Sequence, residues 1–155
     1  MENINEAVRN FLDDQVRYYS PQHAEFITFE DNTVFVSTNW PDLKYDENFY
    51  VNLFFESQTI EEFVEVFGIT SVNDLNNITP GSLLQLFHMG KADVCCAIDN
   101  HETSYELRFR KKNNKMMIID EKGAVHEISE LLQTAQQFID YTHQHWMLNR
   151  ILKYD

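Results

Sequence analysis

Between residues 92 and 119 the apolar residues recur at every second position, and that alternation restricts the fold more than any other feature of the chain. Ala92, Val94, Cys96 and Ile98 share one face of an extended segment, Tyr105, Leu107 and Phe109 repeat the pattern, and Met116 to Ile119 close it. A period of two marks strands with one buried face. Turn-forming residues at 99–102 and 111–114 separate the three runs, which predicts an antiparallel meander.

The first half carries the same signal more briefly. Two β-rich runs, residues 25–30 and 33–38, meet at Asp31-Asn32, a pair that tolerates the positive φ of tight hairpins. Residues 49–55 place Phe49, Val51, Leu53 and Phe55 on one face and Tyr50, Asn52 and Phe54 on the other. Helical spacing appears elsewhere. Ile4, Ala7, Val8, Phe11, Leu12, Tyr18 and Tyr19 predict an opening helix over 3–19, with Asn3 and Glu6 as cap and return partner. Thr59-Ile60-Glu61-Glu62 reads as a capping box before the stripe Ile60, Phe63, Val64 and Phe67, which ends at Gly68. Thr79-Pro80 opens a second short helix that runs to Gly90. From Ile128 the residues Leu131, Leu132, Ala135, Phe138, Ile139 and Trp146 predict a long closing helix.

The order is therefore α, βββ, αα, βββ, α. Sequence-adjacent strands pair by default, and no β-helix-β alternation runs through the chain, so the expected class is α+β: a mostly antiparallel sheet of about five to six strands with an N-terminal helix, short central helices and a long C-terminal helix. The 155 residues suit a single domain over 1–155, with a core large enough to need no staples.

Charge narrows the partners. Lys and Arg number 12 against 25 Asp and Glu, a net charge of -13, which disfavours nucleic acid and anionic membrane surfaces. Residues 1–80 hold 15 acids and three bases, whereas residues 81–155 hold 10 and nine. Crowded like charge costs stability unless another molecule supplies the counter-charge. An acidic binding face is expected on Asp42, Asp46, Glu47, Glu61, Glu62 and Glu65, with Tyr50 and Phe54 as aromatic anchors. The plainer alternative is a solubilising surface.

No phosphate-cradling glycine loop, nucleophile elbow or H-E-x-x-H motif occurs, and the histidines lack ligand spacing, so no catalytic motif, metal or cofactor is expected. Cys95 and Cys96 are adjacent, which sends their side chains to opposite faces of a strand and makes an internal bridge improbable. Two unpaired thiols, no signal-like start and no long apolar run point to a cytoplasmic protein. Arg108, Arg110, Lys111, Lys112 and Lys115 form the one basic cluster, expected to blunt a strand edge, with an anion site as the alternative.

Size, acidity and missing catalytic motifs are similar, at class level, to immunity or inhibitor proteins that cover the active surface of a basic partner such as a nuclease toxin. That resemblance implies a non-catalytic protein binding a basic protein, as a monomer or homodimer. Element order resembles a second family, the type III secretion chaperones, and implies a dimer that holds an effector segment. A small enzyme using Glu102, His126 or His101 is the third possibility, because a general acid or base needs only one placed side chain.

Overall fold

The computed structural model describes residues 3–14, 24–38, 49–57, 59–99 and 103–154. The alternating segments become β1 (Ala24–Glu30), β2 (Thr33–Thr38), β3 (Tyr50–Ser57), β4 (Asp93–Asp99), β5 (Ser104–Lys112), β6 (Lys115–Ile119) and β7 (Val125–Ile128). They form one antiparallel sheet in the order β1-β2-β3-β4-β5-β6-β7, so each strand lies beside its neighbours in sequence. The β1–β2 and β5–β6 turns use Asp31-Asn32 and Asn113-Asn114, all at φ between 52° and 62°. Asx residues accept that left-handed region at low cost, and two such residues in succession match the twist of a two-residue hairpin.

The helices are α1 (Ile4–Asp14), α2 (Ile60–Phe67), α3 (Pro80–His88) and α4 (Ala135–Tyr154), with a 3-10 turn at Val72–Asn77. Asn3 caps α1 by accepting from the Asn5 amide at 2.9 Å. In α2 the Thr59 hydroxyl accepts from the Glu62 amide at 3.1 Å, the half of the capping box that forms. Gly68, at φ 62°, ends α2: its amide donates to the Glu65 carbonyl and the Ile69 amide to that of Val64. A side chain there would meet the left-handed penalty that glycine avoids. Thr79 and Ser82 cap α3 reciprocally ahead of Pro80.

All four helices lie on one face of the sheet. Val8, Leu12, Ile60, Phe63, Leu83, Phe87, Phe138 and Ile139 are buried in the same cluster as Val36, Leu53, Phe55, Val94, Ile98, Leu107 and Phe109. Phe138 lies at the centre, with ring centroids 5.1 Å from Phe87 and 5.0 Å from Phe109. About two turns further along α4, Trp146 stacks on Tyr105 and takes the edge of Phe49.

The class matches the sequence reading, with three corrections. The sheet has seven strands, because Val125–Ile128 pairs with β6 instead of leading into the closing helix. Asp120 drives that outcome: its Oδ1 accepts from the Lys122 and Ala124 amides, and Gly123 at φ 83° completes the reversal that returns the chain beside β6. The last helix accordingly starts at Ala135, and Leu131 lies in the preceding loop, 47% exposed, while Leu132 remains in the core. Finally, Arg108 and Arg110 sit on β5, an interior strand, where there is no edge to protect. Of the opening helix, the structure describes Ile4–Asp14; its expected extension to residue 19 lies outside the described residues.

Candidate interaction surfaces

With one face of the sheet under the helices, the pleat turns every other side chain to the opposite face. Strand register aligns these into rows. One row runs Ser37, Phe54, Cys95, Arg108, Ile119 and Val125, and the next holds Thr28, Phe35, Glu56 and Asp93. No described helix packs on this face.

At its centre is an ionic cluster. Arg108 reaches across β4 to Glu56 and also donates to Asp93 Oδ2 at 3.1 Å. Arg110 grips Asp93 with two bonds, Nε to Oδ1 at 3.0 Å and a terminal nitrogen to Oδ2 at 2.8 Å. The paired guanidinium fork suits a carboxylate, and two acids with two bases leave the cluster neutral. Burial opposes the charge on Arg108, but the hydrogen bond to Glu56 and the nearby carboxylates outweigh it and raise the pKa above its ordinary value. The arginines are thus occupied by their own chain, which closes the anion site that their spacing suggested. Glu56, part of the acidic crowd in sequence, has its counter-charge from the other half of the chain.

Cys95 lies beside this cluster and Cys96 points into the core, both as free thiols. Burial pushes each thiol up to about 12, in Cys95 against the pull of Arg108. Both stay protonated at neutral pH, which makes them poor nucleophiles. Among the described residues no group of three or more His, Cys, Asp or Glu is disposed to hold a metal ion. His126 approaches Asp120 at 3.7 Å in an open position, and His101 and Glu102 lie outside the described residues.

The residues expected to form one binding face separate into two. Tyr50, 63% exposed, and Phe54, half-buried, belong to the face of the sheet on which no described helix packs. Glu61 and Glu65 are exposed and Glu62 half-buried on α2, in the helical layer on the other side. Ile60, Phe63 and Val64 bury the inner face of α2, and this directs Glu61 and Glu65 away from the sheet. Asp42, Asp46 and Glu47 lie outside the described residues.

Around α2 the acidic character continues. Glu6 and Asp13 are exposed on α1, which packs beside α2, and Glu30 and Asp31 are exposed at the β1–β2 turn. That turn and the start of α2 share one end of the sheet, because Val34 pairs with Ser57. Arg9 approaches Glu61 at 3.9 Å, and Glu6, Asp13, Glu30, Asp31 and Glu65 make no ion pair among the described residues.

A separate open cavity of about 400 Å³ lies between α3, the β5–β6 hairpin and the loop before α4, lined by His88, Lys111, Met116, Leu131, Leu132 and Gln133. The sequence reading missed it because its floor depends on residues 131–134 being a loop. No described helix is long and apolar enough to cross a membrane. Protein-family models, curated proteins and solved structures were all compared with the chain, and none matches it.

Proposed function

We propose that the protein is a non-catalytic, acidic binding protein of the immunity or inhibitor type, which covers the basic surface of a partner protein such as a nuclease toxin. The observation that supports this reading is the corner formed by α1, α2 and the β1–β2 turn. Exposed carboxylates gather there with Arg9 as the one described base, while Arg108 and Arg110 of the second half are committed to Glu56 and Asp93. A field of one sign on an exposed corner accelerates encounter with a basic surface and repels acidic competitors. In this reading Glu61, Glu62 and Glu65 contact the partner; Tyr50 and Phe54, on the opposite side, do not share that contact.

The test uses two baits, wild type and Glu61→Lys/Glu65→Lys. Proteins captured by wild type and lost by the variant are identified, purified and measured for association rate at low and high salt. A 1:1 complex with a basic folded protein, whose on-rate falls with salt over the range where the Debye length shrinks from ~30 to ~10 Å, is the expected result. Identical capture by both baits, or an on-rate indifferent to salt, would refute the reading.

A further inference from the structure

We propose that the cavity between α3, the β5–β6 hairpin and the loop before α4 binds a small monocarboxylate with a short aliphatic tail, its carboxylate on Lys111 and its tail against Met116, Leu131 and Leu132. At about 400 Å³ the cavity falls in the size range of small-molecule sites, ~300–1,000 Å³.

The pleat of β5 sets up the site. Tyr105, Leu107 and Phe109 point under the helices and are buried in the core, and Lys111 takes the next position of that series. Arg108, Arg110 and Lys112 alternate to the opposite face, so the basic run is divided and one ammonium group is carried into the helical layer. A lysine kept only for solubility would stand with Lys112. Lys111 is instead half-buried beside Met116, its partner across the hairpin, and makes no ion pair among the described residues.

The neighbouring charge has the same sign. Lys91 follows Gly90, which lies so close to the hairpin that a Cβ there would stand 3.1 Å from the Lys111 carbonyl oxygen. Lys91 and Lys112 are exposed, and neither makes an ion pair among the described residues. Three such ammonium groups attract an anion and repel a cation. The net charge of -13 does not cancel this field, because the acidic corner lies by β1 and β2. Three strand spacings separate β2 from β5, ~14 Å at ~4.8 Å each, which exceeds the Debye length of ~8 Å at physiological salt.

The remaining lining favours a tail over a bare anion. Met116 and Leu132 belong to the core, and Leu131 is 47% exposed, apolar surface that an aliphatic chain would remove from water. The walls are held before any ligand arrives. His88 Nε2 donates to the Gln133 carbonyl at 3.2 Å, and the Gln137 side chain accepts from the Gln133 and Thr134 amides at 2.7 and 3.0 Å. A loop tied at both ends spares binding the cost of ordering it.

NMR titration of the 15N-labelled protein with butyrate, pentanoate and hexanoate, and with hexan-1-ol as the uncharged control, tests the proposal. The amide signals of Lys111, Met116, Leu132 and Gln133 should shift together, and affinity should rise about two- to fourfold per methylene. Lys111→Gln should weaken hexanoate about tenfold or more and leave hexan-1-ol unchanged, since it removes the charge and keeps the wall. Leu131→Ala should weaken both. Hexanoate that moves none of these signals overturns the proposal, as does a Lys111→Gln variant that binds it like wild type. A tripeptide ending in a free leucine carboxylate that binds more tightly than hexanoate would overturn the small-molecule source in favour of a protein C-terminus. If Lys111→Gln fails to fold, Leu131→Ala decides: unchanged hexanoate affinity there rejects the site.

Discussion

Arg108 connects three strands, and removing it measures what the ionic cluster contributes. In Arg108→Met, Asp93 keeps both bonds from Arg110, so the loss falls on Glu56. The magnitude follows from burial. Side-chain exposure is 31% for Arg108 and 19% for Glu56, between the surface pairs that contribute ~0–1 kcal/mol and the buried ones whose breakage costs ~3–5 kcal/mol. About 2 to 3 kcal/mol is expected, with Met filling most of the volume. At ~2–4 °C per kcal/mol for a chain of this size, the melting temperature should fall by roughly 4 to 12 °C. Glu56→Gln alone should cost less, because Arg108 retains Asp93. In the double variant the stranded carboxylate is gone, so the two effects should add to less than their sum, with a coupling of about 1 to 2 kcal/mol. Urea midpoints of the four proteins at constant m-value give that coupling. A value below ~0.3 kcal/mol would mean that solvent screens the pair and the cluster is ornamental.

Three further outcomes are expected. Phe138→Ala should cost ~3–5 kcal/mol and Leu132→Ala ~2–5 kcal/mol by urea denaturation, whereas Leu131→Ala, in the exposed loop, should stay within ~0.5 kcal/mol. Thr134→Ala should cost ~1 kcal/mol through loss of the α4 cap, and a wild-type urea midpoint would contradict the start assigned to that helix. Burial lowers the pKa of His145 from its ordinary 6.5, so the unfolded chain takes the proton first. Its contribution is present above that value and lost as pH falls below it, and the urea midpoint, read about one pH unit to either side, should respond less in His145→Gln.

The strands were legible because one buried face imposes a period of two, and the twin Asx turns told where they reverse. The start of α4 was legible too, though not from the apolar stripe. Thr134-Ala135-Gln136-Gln137 is a capping box, with the Gln137 amide donating to the Thr134 hydroxyl at 3.2 Å and its side chain returning to the Thr134 amide at 3.0 Å. Val125 to Ile128 escaped notice because four residues with one apolar side chain at each end fit a strand or a helical lead-in equally well. The division between Tyr50 and Glu61 was implicit in the pattern. The apolar face of β3 and the apolar stripe of α2 both point into the core, so what remains on each points in opposite directions. The ionic cluster could not be read in advance, because it rests on Cys95 pairing with Arg108 and Phe54 with Cys95, a register that spans both halves of the chain.

That register has a kinetic meaning. The other strand pairs close across connections of two to eleven residues, whereas β3 meets β4 only after the 35 residues between them, which hold α2, the 3-10 turn and α3, have been gathered. Compared with a two-residue turn, closing that loop carries ~2.5 kcal/mol of additional chain entropy. Chain entropy alone thus predicts two faster-forming ladders, β1–β3 and β4–β7, joined along one slower seam. Arg108, rooted in the second ladder and bonded to Glu56 in the first, is a clasp across that seam. A bond that forms after the seam closes leaves the folding rate alone and slows unfolding, so Arg108→Met is expected to speed unfolding more than it slows folding.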